Sequence, residues 1–385
     1  VRSGVVLREG TAKKGANVYL TIDERIQAIT EEGMRAVSRA AAVVVYPNNG
    51  NVLAMVSVPS FDPNTFIPSI KAKDWQALRK DEANPMVNRA ISAFPPGSTF
   101  KIVTALAGLR KKLATTRFNC SGGVSYGDHY FKCWIAEKGG AHGTLGLADA
   151  IKVSCDSFFY QYGNAAGIES MDVTGKMMGI GEESGINLTS EQAGIMPGPE
   201  WMRIHHPQER WSQAQTANSS IGQGYDLVTP LQLAMAYVTV ANGGICYYPR
   251  LIDKVLNQDG SPTLDDHGKP VMPTGPRIRS DLRNDFTRDQ IELVRKGLWK
   301  VVNEDGGTGG RARIKNVQVA GKTGTAQASD RGHKATTAWF ACFAPFDHPE
   351  YVIAVMVQGG AHGRGNDAHS AAPHWKATLA IGKGP

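Results

Sequence analysis

Strand-forming segments stand at both ends of this chain, with a long helical and loop-rich middle between them. Near the start, residues 41–45 and 51–58 flank Tyr46-Pro47-Asn48-Asn49-Gly50, the pattern of two strands joined by a hairpin loop. Near the end, residues 317–325, 337–344 and 351–358 are rich in β-branched and aromatic residues and are parted by polar loops. A strand buries its apolar face only against other layers, so the two groups are expected to meet in one antiparallel sheet with helices packed on it, an α+β fold. The sheet parts are read as about 21–60 and 246–385, the helical lobe as about 61–245, and residues 1–20 as a remnant of something preceding the domain.

Helix signals support this division. Asp23 precedes an apolar stripe of Ile26, Ile29, Gly33 and Val37, and Thr287 with Gln290 forms a capping-box pattern ahead of Ile291, Val294, Leu298 and Val301. Pro373 sits where the first turn of a closing helix is expected. The Gly- and His-rich residues 358–370 read as a loop, whose His362 and His369 carry no catalytic signal.

The 385 residues are 42% hydrophobic and 20% charged, an ordinary globular composition. The net charge of +7 is scattered, with no Lys/Arg-dense run interleaved with aromatics, which argues against a nucleic-acid partner. The longest apolar runs, 40–46 and 231–240, fall far short of the roughly 20 residues needed to cross a bilayer.

Three short stretches carry chemistry. The first is Ser98-Thr99-Phe100-Lys101, after a Pro95-Pro96-Gly97 break that places Ser98 at a helix start. Positions i and i+3 share a helix face, so the Lys101 amine is expected beside the Ser98 hydroxyl, with burial and the nearby Lys322 cation lowering its pKa enough for it to act as base. Taken alone, the stretch reads equally as a helix cap followed by a solvated lysine. The second stretch is Ser154-Cys155-Asp156, in which Ser154 can relay a proton and Asp156 can hold a lysine or substrate backbone. Its plainer reading is a capping pair before Phe158-Phe159-Tyr160.

The third stretch is Lys322-Thr323-Gly324-Thr325. With strand period, the Thr323 and Thr325 hydroxyls share a face suited to a carboxylate, Gly324 admits substrate backbone, and Lys322 adds positive charge. Cys120, Cys133, His142 and Cys155 form a fourth constellation, three thiols and an imidazole, which is a tetrahedral zinc set. A Cys120–Cys133 disulfide is the competing reading. Cys246 and Cys342 have no evident partner.

In this order the three stretches resemble the motif set that class B penicillin-binding proteins share with serine β-lactamases. Ser220-Ile221-Gly222-Gln223-Gly224-Tyr225, with Val228-Thr229-Pro230-Leu231 after it, resembles the penicillin-binding protein 2 branch. The resemblance implies a five-stranded sheet beside an all-helical lobe, and a peptidoglycan D,D-transpeptidase that acts through a Ser98 acyl-enzyme. It places the oxyanion at the backbone N–H groups of Ser98 and Thr325. It implies no cofactor for catalysis, and a structural zinc of the kind some members carry. Peptidoglycan stem peptides and β-lactams are the implied ligands; a membrane glycan polymerase and the elongation scaffold are the implied partners. A membrane anchor and a pedestal domain are expected ahead of this segment, on the periplasmic face of the bacterial cytoplasmic membrane. A serine β-lactamase, a β-lactam sensor, a D,D-carboxypeptidase and an inactive peptidoglycan-binding scaffold remain as alternatives.

Overall fold

The computed structural model describes residues 14–272, 275–330 and 333–359. The closing helix at Pro373, the loop carrying His362 and His369, and most of the 1–20 remnant lie outside the described residues.

Five strands form one antiparallel sheet: β1 (Ala40–Val45), β2 (Val52–Val58), β3 (Ala320–Asp330), β4 (His333–Ala344) and β5 (Tyr351–Gln358), in the spatial order β3-β4-β5-β1-β2. The join between the chain's two ends is the β5–β1 pair, with Val355 opposite Ala42 and Ile353 opposite Val44. Every residue of β1 is buried, which explains its unbroken Ala/Val composition. The sheet is therefore closed by segments some three hundred residues apart, and β3, with Lys322–Thr325, is left as an edge strand.

Helix α1 (Glu24–Met34) packs against β2. Asp23 caps it, accepting from the backbone N–H groups of Arg25 and Ile26. Five further helices bear on the site: α2 (Lys101–Arg110), α3 (Leu147–Lys152), α4 (Asp156–Ala166), α5 (Gln213–Ser220) and α6 (Pro230–Ala241). All twelve residues of α6 are buried, and it packs on β1, β4 and β5. Helix α7 (Arg288–Asn303) begins in the expected Thr287/Gln290 capping box and buries Ile291, Val294, Leu298 and Val301 against α3 and β3.

Two features depart from the expected pattern. Four short strands lie inside the lobe read as all-helical: Phe118–Cys120 pairs with Gly143–Leu145, and Gly123–Tyr126 with His129–Lys132. Strands of three or four residues leave too little periodicity to register in sequence. Asn17–Leu20, read as part of a preceding remnant, pairs with Ile252–Leu256 in a separate two-stranded ladder.

Candidate active site

The turn carrying Ser98 is held from three sides. Gly97 has φ +54°, a left-handed conformation that glycine adopts without strain, and the chain then runs through a 3-10 turn, Gly97–Phe100, into α2. The Trp339 indole N–H donates to Pro95 O at 2.8 Å, the Tyr237 hydroxyl to Thr99 O at 3.1 Å, and the Gly97 N–H to Gly222 O at 2.9 Å. Trp339 and Phe340 pack in the core, and Trp339 also ties the 97–100 turn to β4.

The glycines around the turn are sites of close approach. A Cβ on Gly222 would lie 2.4 Å from Gly97 O, and one on Gly324 would lie 2.9 Å from Thr99 Cγ2 and 3.0 Å from Pro96 O. The missing side chain of Gly324 makes room for the 97–100 turn, because β3 and that turn are in direct contact.

Ser98 is half-buried and opens into a cleft of about 1230 Å³ between the lobe and β3, which Ser154, Thr323 and Thr325 also line. Its hydroxyl makes no hydrogen bond among the described residues. Lys101 is buried, and its amine donates to Asp156 Oδ1 at 2.7 Å, Ser154 O at 2.9 Å and Ser154 Oγ at 3.2 Å. The expected Ser98–Lys101 pair is thus replaced by an ion pair across the lobe: a carboxylate holds an ammonium more strongly than a hydroxyl does, and Ser98 lies in a 3-10 turn ahead of α2.

Ser154 sits in left-handed backbone, φ +55°, a strained conformation of the kind that collects at functional sites. Capping of α4 falls to Cys155, whose Sγ accepts from Phe158 N at 3.3 Å, so Ser154 and Asp156 are free for other partners. The second oxygen of Asp156 accepts from Trp134 N at 3.0 Å.

Lys322 is fully buried and its amine donates to Ser154 Oγ at 2.8 Å and to Thr323 O at 3.0 Å. It thus faces the Ser154 hydroxyl. Burial, and then the neighbouring Lys101 cation, push its pKa well below the ordinary lysine value, against the opposing pull of Asp156. Ser154 Oγ is the junction of two lysines, of which Lys101 is also bound to a carboxylate.

Thr323 and Thr325 line the cleft together, as their spacing requires. Asn218, Gln223 and Thr308, to which the sequence reading gave no site role, also line the cleft. Asn218 at the end of α5 and Gln223 line the wall, and the Gln223 amide reaches Thr325 O at 3.5 Å. Thr308, in the run Gly306-Gly307-Thr308-Gly309-Gly310, sits 2.9 Å from the Thr323 hydroxyl. A lone side chain among four glycines was the available signal.

The four zinc-set residues are brought together beside the second stretch. Their ligand atoms all lie within 4.8 Å of one another. The Cys120–Gly143 pairing sets His142 next to Cys120, while the Cys133 N–H donates to Gly122 O. His142 Nδ1 lies 3.7 Å from Cys120 Sγ and 3.6 Å from Cys133 Sγ, and Cys133 Sγ lies 3.9 Å from Cys155 Sγ. The proton-sharing contact with Cys155 and the His142 ring draw the Cys133 thiol down to about 3, whereas that same contact and burial push Cys155 up. All five cysteines are free, so the alternative Cys120–Cys133 disulfide is not formed.

Residues 40–380 match the profile of the penicillin binding protein transpeptidase domain. The chain is 35% identical over 379 residues to the peptidoglycan D,D-transpeptidase MrdA of Acinetobacter baumannii, a match covering 94% of this chain and 53% of that protein. It thus spans about half the length of the curated relatives it matches. In structure it resembles penicillin-binding protein A of Mycobacterium tuberculosis, solved as a ceftriaxone acyl-enzyme complex, with TM-score 0.80 and 26% identity over 96% of this chain and 80% of that one. It also resembles the PBP2 of a PBP2–MreC complex from Helicobacter pylori, with TM-score 0.79 and 28% identity over 94% of this chain and 63% of that one. The chain thus belongs to the penicillin-binding protein transpeptidase family, on the class B branch that contains PBP2 and MrdA.

Proposed function

We propose that this chain is the catalytic domain of a peptidoglycan D,D-transpeptidase that works through a Ser98 acyl-enzyme. The observation that carries the reading is Ser98 at the mouth of a Lys101–Ser154–Lys322 network, in a cleft bounded by an edge strand. The free side of β3 offers backbone groups to an extended peptide, and the Thr323 and Thr325 hydroxyls receive its terminal carboxylate. Ser98 Oγ attacks the carbonyl of the penultimate D-Ala, and its proton passes into the network. The oxyanion rests on the Ser98 and Thr325 N–H groups, each such donor contributing roughly 10²–10³ in rate. As the C–N bond breaks, Ser154 returns a proton to the departing D-Ala amine. An amine from a neighbouring stem then displaces Ser98 and forms the cross-link. This chemistry requires no cofactor.

The names of the relatives favour this reading over a β-lactamase, a β-lactam sensor or an inactive scaffold. The test is intact mass after benzylpenicillin, followed over hours. A persistent adduct that disappears in Ser98→Ala is expected. An adduct that clears rapidly points to a β-lactamase, and no adduct points to a scaffold. Replacing the acceptor amine by water in the second half gives a D,D-carboxypeptidase, which product analysis with a diamine acceptor distinguishes.

The reaction needs uncross-linked glycan, so a membrane glycan polymerase is its natural partner, and the Helicobacter complex supports an MreC-type scaffold as another. Such work lies on the periplasmic face of the membrane. No helix among the described residues is long and apolar enough to cross it.

Cys120, Cys133, His142 and Cys155 fit zinc. Tetrahedral bonds of about 2.3 Å to sulfur and 2.0 Å to nitrogen place sulfurs about 3.8 Å apart and sulfur about 3.5 Å from nitrogen. Three of the six separations here are 3.9 Å, 3.6 Å and 3.7 Å, and all six lie within 4.8 Å. The ion would be structural, clamping Cys155 and thereby Ser154 and Asp156. One zinc per chain is expected by native mass. Zinc at 10²–10³ times its Kd should contribute about 3–4 kcal/mol to stability. Chelation should lower the melting temperature and slow acylation, and added zinc should restore both. A metal-free native mass with melting indifferent to chelator would end the zinc reading.

A further inference from the structure

We infer that Thr308 sets the cleft's preference for a carboxylate by orienting the Thr323 hydroxyl, acting as a positioning residue. The inference rests on the reading above, in which Thr323 receives the substrate's terminal carboxylate. Thr308 Oγ1 lies 2.9 Å from Thr323 Oγ1, and both residues line the cleft. A hydroxyl has one proton to give. Thr323 can give its proton to an anion only while it does not give it to Thr308, and Thr308 is placed to act as the donor of their shared bond and so leave that proton free. A hydroxyl that accepts one bond while donating another is also polarised toward a stronger donation.

The loop is built to keep Thr308 still. The Gly307 N–H donates to Glu304 O, the Gly309 N–H to Val301 O at 2.9 Å and the Thr308 N–H to Lys152 O at 3.3 Å. A Cβ on Gly307 would lie 2.3 Å from Val301 O, and one on Gly309 would lie 2.9 Å from Val301 Cγ1, so the loop lies flat on the last turn of α7. Glu304 bridges Lys152 at 3.0 Å and Lys300 at 3.6 Å, and Lys300 reaches Asp149 at 2.7 Å. These contacts fasten the loop to α3, the helix that leads into Ser154. Between 306 and 310 only Thr308 has a side chain, and it is turned to the carboxylate end of the cleft.

The experiment compares second-order acylation rates of benzylpenicillin and its methyl ester. Thr308→Val keeps the side-chain shape and removes the hydroxyl. It is expected to slow acylation by the acid about tenfold, the scale of one hydrogen bond to a charged group, and by the ester less than about twofold. Thr308→Ser should restore the acid rate, and Thr308→Ala provides a second variant without a hydroxyl. Because the effect runs through Thr323, Thr308→Val/Thr323→Val should be no slower than Thr323→Val alone. Equal losses on acid and ester, or additive losses in the double variant, would overturn the inference. If Thr323→Val shows no preference for the acid, the carboxylate assignment of Thr323 itself is wrong, and this inference falls with it. Adduct formation that still depends on Ser98 would then show that the acyl-enzyme reading stands.

Discussion

Asp156→Asn is expected to cost about 3–5 kcal/mol of stability and to slow acylation by about 10²–10⁴. The Lys101 amine is buried with Lys322 close by, and Asp156 Oδ1, at 2.7 Å, supplies its counter-charge. Asparagine keeps the shape and removes that charge, leaving the buried Lys101 amine without its carboxylate partner. The carboxylate also sits in the first turn of α4, where the helix dipole favours it. Denaturant midpoints and the rate of benzylpenicillin adduct formation measure the two effects. Lys101→Met/Asp156→Leu removes both charges and should recover most of the stability, since an apolar pair replaces a buried ion pair at little cost, while acylation stays lost. A loss below about 1 kcal/mol for Asp156→Asn would mean that the pair behaves as an exposed one, contrary to the burial described.

Gly222→Ala is expected to be nearly as damaging to acylation, for a steric reason. Its φ of +70° is left-handed, and the added methyl would lie 2.4 Å from Gly97 O and 2.7 Å from Phe100 Cβ. Neither neighbour can yield without moving Ser98, whose turn is bonded to Gly222 O. A displacement near 1 Å at a reacting group costs on the order of 10² in rate. Gly324→Ala meets looser contacts, 2.9 Å to Thr99 Cγ2 and 3.0 Å to Pro96 O, and its backbone is not left-handed, so a smaller loss is expected. Adduct rates for the two variants at matched folded fraction test the ranking, and equal rates for Gly222→Ala and the unaltered protein would refute it.

Features that depend on near neighbours in the chain could be read in advance. The capping box of Thr287 and Gln290, the inward stripe of α7, the Asp23 cap and the strands at 337–344 and 351–358 all follow from local geometry and residue type. The motif residues were identifiable for the same reason, since Ser98, Ser154 and Lys322 sit in short recognisable stretches. Less was legible where local preference is weak. β3 runs on past Thr325 to Asp330 through Ala326-Gln327-Ala328-Ser329, residues with little strand propensity, and pairing with β4 carries it there. In the same way, Ser154 and Asp156 read as a capping pair, yet the cap is the Cys155 sulfur.

What the sequence by itself determined is the set of reactive groups, their order and the local elements that carry them. Partnership was decided by the tertiary structure. Lys101 turned from Ser98, three residues away, to Ser154 and Asp156, 53 and 55 residues away, and Lys322 crossed 168 residues to the same Ser154 hydroxyl. Gly324 was assigned to the nucleophile turn, and Thr308 to Thr323, only when β3 settled against α7 and the 97–100 turn. The physical reason is one of range. Helix caps and strand periodicity act over a few residues, whereas buried amines and hydroxyls take the partners that the closed sheet brings within about 3 Å, where desolvation leaves no water to satisfy them instead.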